Sequence, residues 1–453
     1  MKKCCSRRFI GQAVAFILLA FIICASMYKP MIVKRSYRGE NKLSVFLDGL
    51  KDQEWYEINC FDGKLHESIG KTPNNLDSWS QAFERKCQIL WSKFQRIYSV
   101  DVREGRIEYS RDFENKLKSW FHNKEDLVNA MKSQSLIHFR NLYTKEHTIY
   151  NPLRSKRPMQ KLDKDPKVYV DEISAATRKS CDFCNYKEMT AKDLFDRIEG
   201  KHSVTAANAF KIDKWHGLML TKKHNPSDIT EEELVDLFNT TLKWFKRVNR
   251  EDKSSRFPNI LWDSLPHAGA SQVHPHVHGL MDTDHYYGIL EEQNRASIEY
   301  HEATGNNYWE DIIEIHHALG LTKRFGDAIA LTSLTSRKDN EVMLISDEPS
   351  LDLFRLLYYV IQTYYQRYKI YCHSSGMAFP AFGDMHDSSL PALIRISTRG
   401  DCSNVRSDIS SLELYTVYNV NADLYEVISN ISATVDNFAT KSSFNWNPIV
   451  PWA

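Results

Sequence analysis

The segment Ser271-Gln272-Val273-His274-Pro275-His276-Val277-His278 places an imidazole at every second position. Alternate side chains of an extended strand share a face, so this spacing predicts His274, His276 and His278 in one row on one side of a sheet. Neutral imidazole can be a nucleophile, a proton carrier or a metal ligand, and the role of each ring depends on what holds its second nitrogen. Three such rings in a row can also ligate a catalytic metal that activates water. Upstream, Cys181-Asp182-Phe183-Cys184 is a C-x-x-C knuckle able to offer two thiolates to one tetrahedral ion. Spacing alone leaves a disulfide, a redox pair or two ordinary thiols open there.

Read in order, C-x-x-C at 181–184, Asn208-Ala209-Phe210, Lys222-Lys223-His224 and Gly269-Ala270-Ser271-Gln272-Val273-His274-Pro275-His276 resemble the galactose-1-phosphate uridylyltransferase branch of the histidine-triad superfamily. The likeness runs over residues 180–285 and more loosely to residue 400. It implies a structural zinc held by Cys181, Cys184, His224 and His274, tying the knuckle to the catalytic strand. It implies that His276 attacks the α-phosphorus of a nucleoside diphosphate compound, forming a covalent nucleotidyl-histidine. Asn208, Gly269, Ser271 and Gln272 fall where the family meets its substrate, a nucleotide sugar or related compound. The family is commonly dimeric, which makes a homodimer an expectation to test.

Two departures bear on the reaction. His278 stands where the transferases carry glutamine, as in the hydrolase branches, and a histidine there can protonate a leaving phosphate; this favours water as acceptor and makes His278 a second catalytic candidate. No H-x-H pair precedes Pro391-Ala392-Leu393-Ile394-Arg395, where Met385-His386-Asp387 stands instead, so neither a second metal site nor the usual hexose-phosphate pocket is expected. The main alternatives are a metal-dependent hydrolase using the histidine cluster and a non-catalytic, zinc-stabilised nucleotide-binding module. His285, His316 and His317 match no role and read as ordinary surface or core residues.

The elements that must position these residues read as α+β: tandem histidine-triad-like units, each an antiparallel sheet with covering helices. Residues 202–210 and 216–224 read as strands. Residues 229–248 then repeat apolar side chains at helical spacing, with Thr230 and Glu233 fitting a capping box. Residues 259–265 and 274–281 read as two more strands. A second cycle follows, with strands at 327–335 and 341–346, a long helix over 351–371 and a strand at 392–397, which suggests an internal duplication.

The rest of the chain bounds where this happens. Basic and acidic residues number 59 and 58, so bulk electrostatic binding to nucleic acid is not expected and an anionic ligand needs a local site. Residues 9–28 carry no charge and have about the ~20-residue length that crosses a bilayer, which reads as a transmembrane signal-anchor behind a basic tail at 1–8; a cleavable signal peptide is the rival. A stem at 29–45, a helical membrane-proximal region at 46–165, a catalytic unit at 166–320 and a second half at 321–453 complete the expected order. The expected location is a single-pass membrane protein of the Golgi or endoplasmic reticulum with a lumenal body. Cys60, Cys87, Cys372 and Cys402 have no metal spacing and can pair in such a lumen, with connectivity left open. Sequons at Asn239 and Asn430 are compatible with that location.

Overall fold

A computed structural model describes residues 42–61, 63–157, 164–383, 389–404, 408–440, 446 and 448–452. The expected membrane span, its tail and nearly all of the stem lie outside the described residues, as does Met385-His386-Asp387. Among the described residues no helix is long and apolar enough to cross a membrane.

Residues 46–165, expected as helices, also hold three strands: Tyr98–Arg106 (β1), Ser133–Asn141 (β2) and His147–Tyr150 (β3), paired antiparallel with Val102 opposite Ile137. In β1 Tyr98, Val100 and Val102 alternate with Ser99, Asp101 and Arg103 at strand spacing, and only the Tyr98 end is buried. Before it lie helices Gln53–Cys60 (α1) and Arg85–Ile97 (α2), which the Cys60–Cys87 disulfide joins across a Cα–Cα distance of 5.5 Å. α2 buries Leu90, Phe94 and Ile97 along one stripe, the spacing that makes a helix pack on a core.

After helix Pro166–Arg178 (α3) comes the sheet that carries the chemistry. Ser203–Ala207 (β4), His216–Thr221 (β5), helix Glu231–Glu251 (α4), Phe257–Asp263 (β6) and His276–Asp282 (β7) form one cycle. Thr322–Phe325 (β8) precedes the second cycle: Ala328–Leu331 (β9), Val342–Ser346 (β10), helix Leu351–Thr363 (α5), His373–Ala378 (β11) and Ala392–Thr398 (β12). The strands order as β4-β5-β7-β6-β11-β12-β10-β9-β8, so the two cycles share one internal order and meet where β6 pairs with β11, Leu261 opposite Gly376. The repeat of element order read from the sequence is therefore present, joined into one antiparallel sheet of nine strands. Val417–Val420 (β13) then returns to pair in parallel with β3, and helix Leu424–Ala439 (α6) follows.

Both long helices cover the same face of this sheet. α4 starts at the predicted capping box, Thr230 and Glu233 each bonding the other's backbone, and buries Leu234, Leu237, Phe238, Leu242, Phe245 and Val248. Such side chains contribute about 1.5–3 kcal/mol each on burial. Phe238 stacks on Phe354 of α5 at 4.8 Å. Trp244 of α4 lies flat on the sheet because Gly217 and Gly279, paired across β5 and β7, have no side chain; a Cβ at Gly217 would sit 2.7 Å from its ring. With helices on that face, His216, Leu218, Leu220, His276 and His278 point to the other. The helix expected through Tyr371 stops earlier: a π-turn spans Tyr364–Tyr368, and Lys369 at φ 56° ends it. Cys372 and Cys402 form the second disulfide, pinning the start of β11 to the loop beyond β12. Both sequons sit inside helices, Asn239 accepting a hydrogen bond from Val450 N–H and Asn430 from Arg367.

Candidate metal centre and nucleophile

The knuckle packs on the open face of β4 and β5, where Phe183 joins Val204, Ala206, Leu218 and Leu220. Cys181 and Cys184 are free thiols there, not a disulfide. Together with His224 and His274 they form the one cluster of His, Cys, Asp and Glu among the described residues whose ligand atoms can share an ion, all within 4.8 Å of one another. His224 follows β5 and His274 precedes β7, so neighbouring strand ends bring both imidazoles to the knuckle.

The spacing of these atoms tests the fit. Cys181 Sγ lies 3.5 Å from His274 Nδ1, Cys184 Sγ lies 3.4 Å from His224 Nδ1 and 3.6 Å from His274 Nδ1, and the two Nδ1 atoms are 3.3 Å apart. A tetrahedron with metal–sulfur bonds of about 2.3 Å and metal–nitrogen bonds of about 2.05 Å has S···N edges of about 3.6 Å and an N···N edge of about 3.3 Å. The donors match those edges. Each ring also has its far nitrogen engaged: His274 Nε2 meets Thr221 O at 2.7 Å, and His224 Nε2 meets Ser174 O at 2.9 Å. A carbonyl only accepts, so the proton sits on Nε2 and the Nδ1 lone pair is left for an ion. Burial pushes His274 down to about 4, so this ring is neutral, and burial together with Cys181 pushes the Cys184 thiol up to about 11, a charge deficit that a bound cation would reverse.

One sequence expectation fails here. His274 is not on the strand; β7 begins at His276, and Pro275, which has no N–H to give a ladder, separates the two. The predicted row of three is thus split, with His274 turned to the knuckle and only His276 and His278 sharing the face, ring centroids 5.2 Å apart. A catalytic metal held by all three rings loses its support, because His274 Nδ1 is committed to the cysteines. Phe183 bridges the two groups, its ring 5.8 Å from His274 and 5.0 Å from His276.

His276 Nδ1 is 2.9 Å from His274 O, which fixes the proton on Nδ1 and leaves the Nε2 lone pair without a partner among the described residues. Burial, with His278 adding to it, holds His276 at about 4 and hence neutral. His278 Nδ1 lies 2.9 Å from His216 Nε2, and burial lowers both rings to about 4. Asn208 is aimed at this pair: its Oδ1 accepts from Phe210 N–H, and Nδ2 lies 3.1 Å from His216 Nε2. Gly269, at φ 120°, closes the turn Pro266–Ala268, a backbone that suits glycine, and a Cβ there would be 3.2 Å from the Asp263 carboxylate. Ser271 is exposed and Gln272 half-buried on the same β6–β7 loop.

Register adds residues that spacing did not reveal. Leu218, His278, Leu261, Gly376 and Arg395 are successive cross-strand partners, so Arg395 holds in the second half the row position of His278. It is buried between Glu146 and Glu341, with bonds to both. Asp263, two residues beyond Leu261 on that face, accepts from Ser374 Oγ at 2.6 Å, and Ser374 Oγ accepts from Arg399 at 2.9 Å. Burial raises the Asp263 carboxyl above its ordinary range. A cleft of about 490 Å³ opens in front of these residues, lined among others by Asn259, Leu261, Tyr287, Ser374, Arg395 and Arg399. For His216 the one signal was a histidine opening an apolar strand, and for Asp263 there was none. His316 and His317 have all ring nitrogens engaged within the fold, as expected of structural histidines.

Neither a family model nor a curated protein sequence matches this chain. Solved structures do. An ADP-glucose phosphorylase from Arabidopsis thaliana with bound ADP-glucose is 15% identical, with 64% of this chain and 96% of that one covered at a TM-score of 0.49. A GalT-like protein from Arabidopsis thaliana is 16% identical, with 56% and 92% covered at 0.45. The yeast Ap4A phosphorylase in complex with AMP is 15% identical, with 70% and 91% covered at 0.31. With every one of these TM-scores below 0.5, the chemistry has to come from the residues themselves.

Proposed function

We propose that this chain is a nucleotidyl transferase or hydrolase of the histidine-triad kind, acting on nucleotide sugars or related nucleoside diphosphate compounds through a nucleotidyl-His276 intermediate, with water the favoured acceptor. The observation that carries this reading is the single free nitrogen of His276: Nδ1–H is tied to His274 O, so Nε2 presents its lone pair on the open face. In the first step that lone pair forms a bond to the α-phosphorus, and the bond from phosphorus to the bridging oxygen breaks. The leaving phosphate keeps the oxygen and its electron pair. The positive charge that develops on the His276 ring is stabilised through Nδ1–H by the His274 carbonyl. His278, oriented by His216, is placed to donate a hydrogen bond to the leaving oxygen. In the second step the water oxygen bonds to phosphorus as the nitrogen–phosphorus bond breaks, returning the pair to Nε2 of His276, and the water proton passes to solvent.

Cys181, Cys184, His224 and His274 would hold zinc as a structural ion, which anchors the peptide whose carbonyl sets the His276 tautomer. The proposed setting is a single-pass protein with its body in the secretory lumen. The Cys60–Cys87 and Cys372–Cys402 disulfides favour it, and protease protection in sealed microsomes tests it.

The decisive experiment incubates the purified full-length chain with nucleotide sugars and dinucleotides labelled at the α-phosphorus, followed by detection of an acid-labile adduct. An adduct on wild type that His276→Ala abolishes, with zinc content and thermal midpoint retained, is the expected result. Turnover that survives His276→Ala would overturn the mechanism.

A further inference from the structure

The cleft beside His278 does not end at the sheet. A second cavity, of about 690 Å³, continues past it, and Arg337, Lys338, Glu413 and Tyr418 line both. Each space by itself is of the size that holds a small molecule, about 300–1,000 Å³. Together they make a groove running from Leu261, the cross-strand partner of His278, to Arg154 and Lys369.

Charge is distributed unevenly along it. At the near end every cation faces an acid: Arg395 and Arg337 meet Glu146, Lys338 meets Glu413, and Arg399 meets Asp408. At the far end the acids are already engaged. Asp339 accepts from the backbone N–H groups of Asn421 and Ala422, and Asp401 accepts from Ser403. Arg154 donates Nε to Asn421, and neither it nor Lys369 has an ion pair among the described residues. Partial burial and the neighbouring Arg157 press on the Arg154 charge, and Asp339, which favours it, is already held by the Asn421 and Ala422 amides. Lys369 is exposed and held in left-handed backbone at φ 56°, a conformation uncommon for a lysine, directly beside Tyr368 on the cavity wall. Two cations without an ion pair among the described residues thus line a space that Tyr368 and Tyr418 also wall.

We propose that this groove receives an elongated leaving group carrying a second phosphoryl group, which Arg154 and Lys369 hold, so that the substrate extends well beyond the phosphoanhydride cleaved at His276. The inference rests on the reading of His276 as nucleophile and narrows its substrate class. The chemistry at phosphorus is unchanged: the departing part leaves with the bridging oxygen and its electron pair, and the distal phosphate stays intact.

Matched dinucleotides joined by a diphosphate, with each of the four common bases on the labelled nucleoside, test this when the distal nucleoside either carries or lacks a 2′-phosphate. With the full-length protein, kcat/KM is expected to be about tenfold or more higher for the phosphorylated member, the value of one charge-assisted contact or better. The preference resides in KM and collapses in the Arg154→Ala, Lys369→Ala double variant, whose two side chains are partly or fully exposed and whose thermal midpoint serves as the folding control. Equal use of both members by wild type overturns the groove while leaving the His276 adduct standing. A preference that persists in the double variant overturns it too. Absence of an adduct with every member overturns the groove and the His276 reading together.

Discussion

Replacing Cys181 by serine tests the link from the knuckle to the nucleophile. Cys181 is buried, and its Sγ lies 3.5 Å from His274 Nδ1. Serine is of similar size, but its alcohol does not ligate as a thiolate does, so the four-donor set drops to three. Four-donor zinc sites supply about 10–16 kcal/mol of apparent binding that only the folded state can use, so occupancy is expected to fall from one ion per chain to a small fraction. Without an ion, His274 Nδ1 is a buried acceptor left with only the weak Cys184 thiol at 3.6 Å, while Nε2 keeps Thr221 O. An orphaned buried group costs about 1–3 kcal/mol, and taking about 2 kcal/mol with about 2–4 °C per kcal/mol, this alone lowers the midpoint by about 4–8 °C, a minimum to which the lost linkage of ion binding adds. Catalysis should suffer as well, because the His274 carbonyl is the partner of His276 Nδ1 at 2.9 Å. Loosening a hydrogen bond worth about 1 kcal/mol slows adduct formation about fivefold. Metal analysis, differential scanning calorimetry and single-turnover adduct kinetics read the three effects. A variant with full metal content, or one that loses the ion yet keeps its midpoint and its adduct rate, would refute the reasoning.

His216→Ala removes the partner of His278 without touching the metal donors, so kcat is expected to fall about tenfold to a hundredfold with zinc content unchanged; an unaltered kcat would remove His278 from the proton traffic. Gly217→Ala drives a methyl into the ring of Trp244, which is fully buried and tied to Asp193, and should cost about 1–3 kcal/mol in urea unfolding, whereas a neutral result would mean the helix layer sits further from β5. Glu146→Gln leaves Arg395 buried without one of its two acids and should destabilise the protein by about 3–5 kcal/mol at neutral pH. Burial alone raises the Glu146 carboxyl, but Arg395 and Arg337 hold it below the usual glutamate value. Its contribution is therefore complete above that value and lost as pH falls through the depressed one, so unfolding curves of wild type and Glu146→Gln should converge towards acid pH and separate above the ordinary glutamate range.

Local signals survived translation into structure. The capping box at Thr230 and Glu233, the helical stripe of α4, the C-x-x-C knuckle and the spacing of His276 and His278 each depend on residues a few positions apart, and each is found where its spacing placed it. Signals spread over both faces of an element did not. β11, His-Ser-Ser-Gly-Met-Ala, has neither alternation nor bulk and becomes a strand because β6 and β12 flank it on both sides. β1 pairs with β2 along its whole length, although Tyr98 is its one fully buried residue.

The sequence by itself determined which residues could do chemistry: four metal donors by type and order, and three histidines at strand spacing, His274 counted in both. Only the tertiary structure decided which nitrogen of each ring is free, because that depends on carbonyls at Thr221, Ser174 and His274, which the chain brings to the rings by folding. It likewise separated His274 from its two neighbours, and through strand register brought His216, Asp263, Ser374 and Arg395 to the same face from four different strands. Register is set by long-range pairing and by the helices covering the opposite face, and no spacing within one segment of chain encodes it.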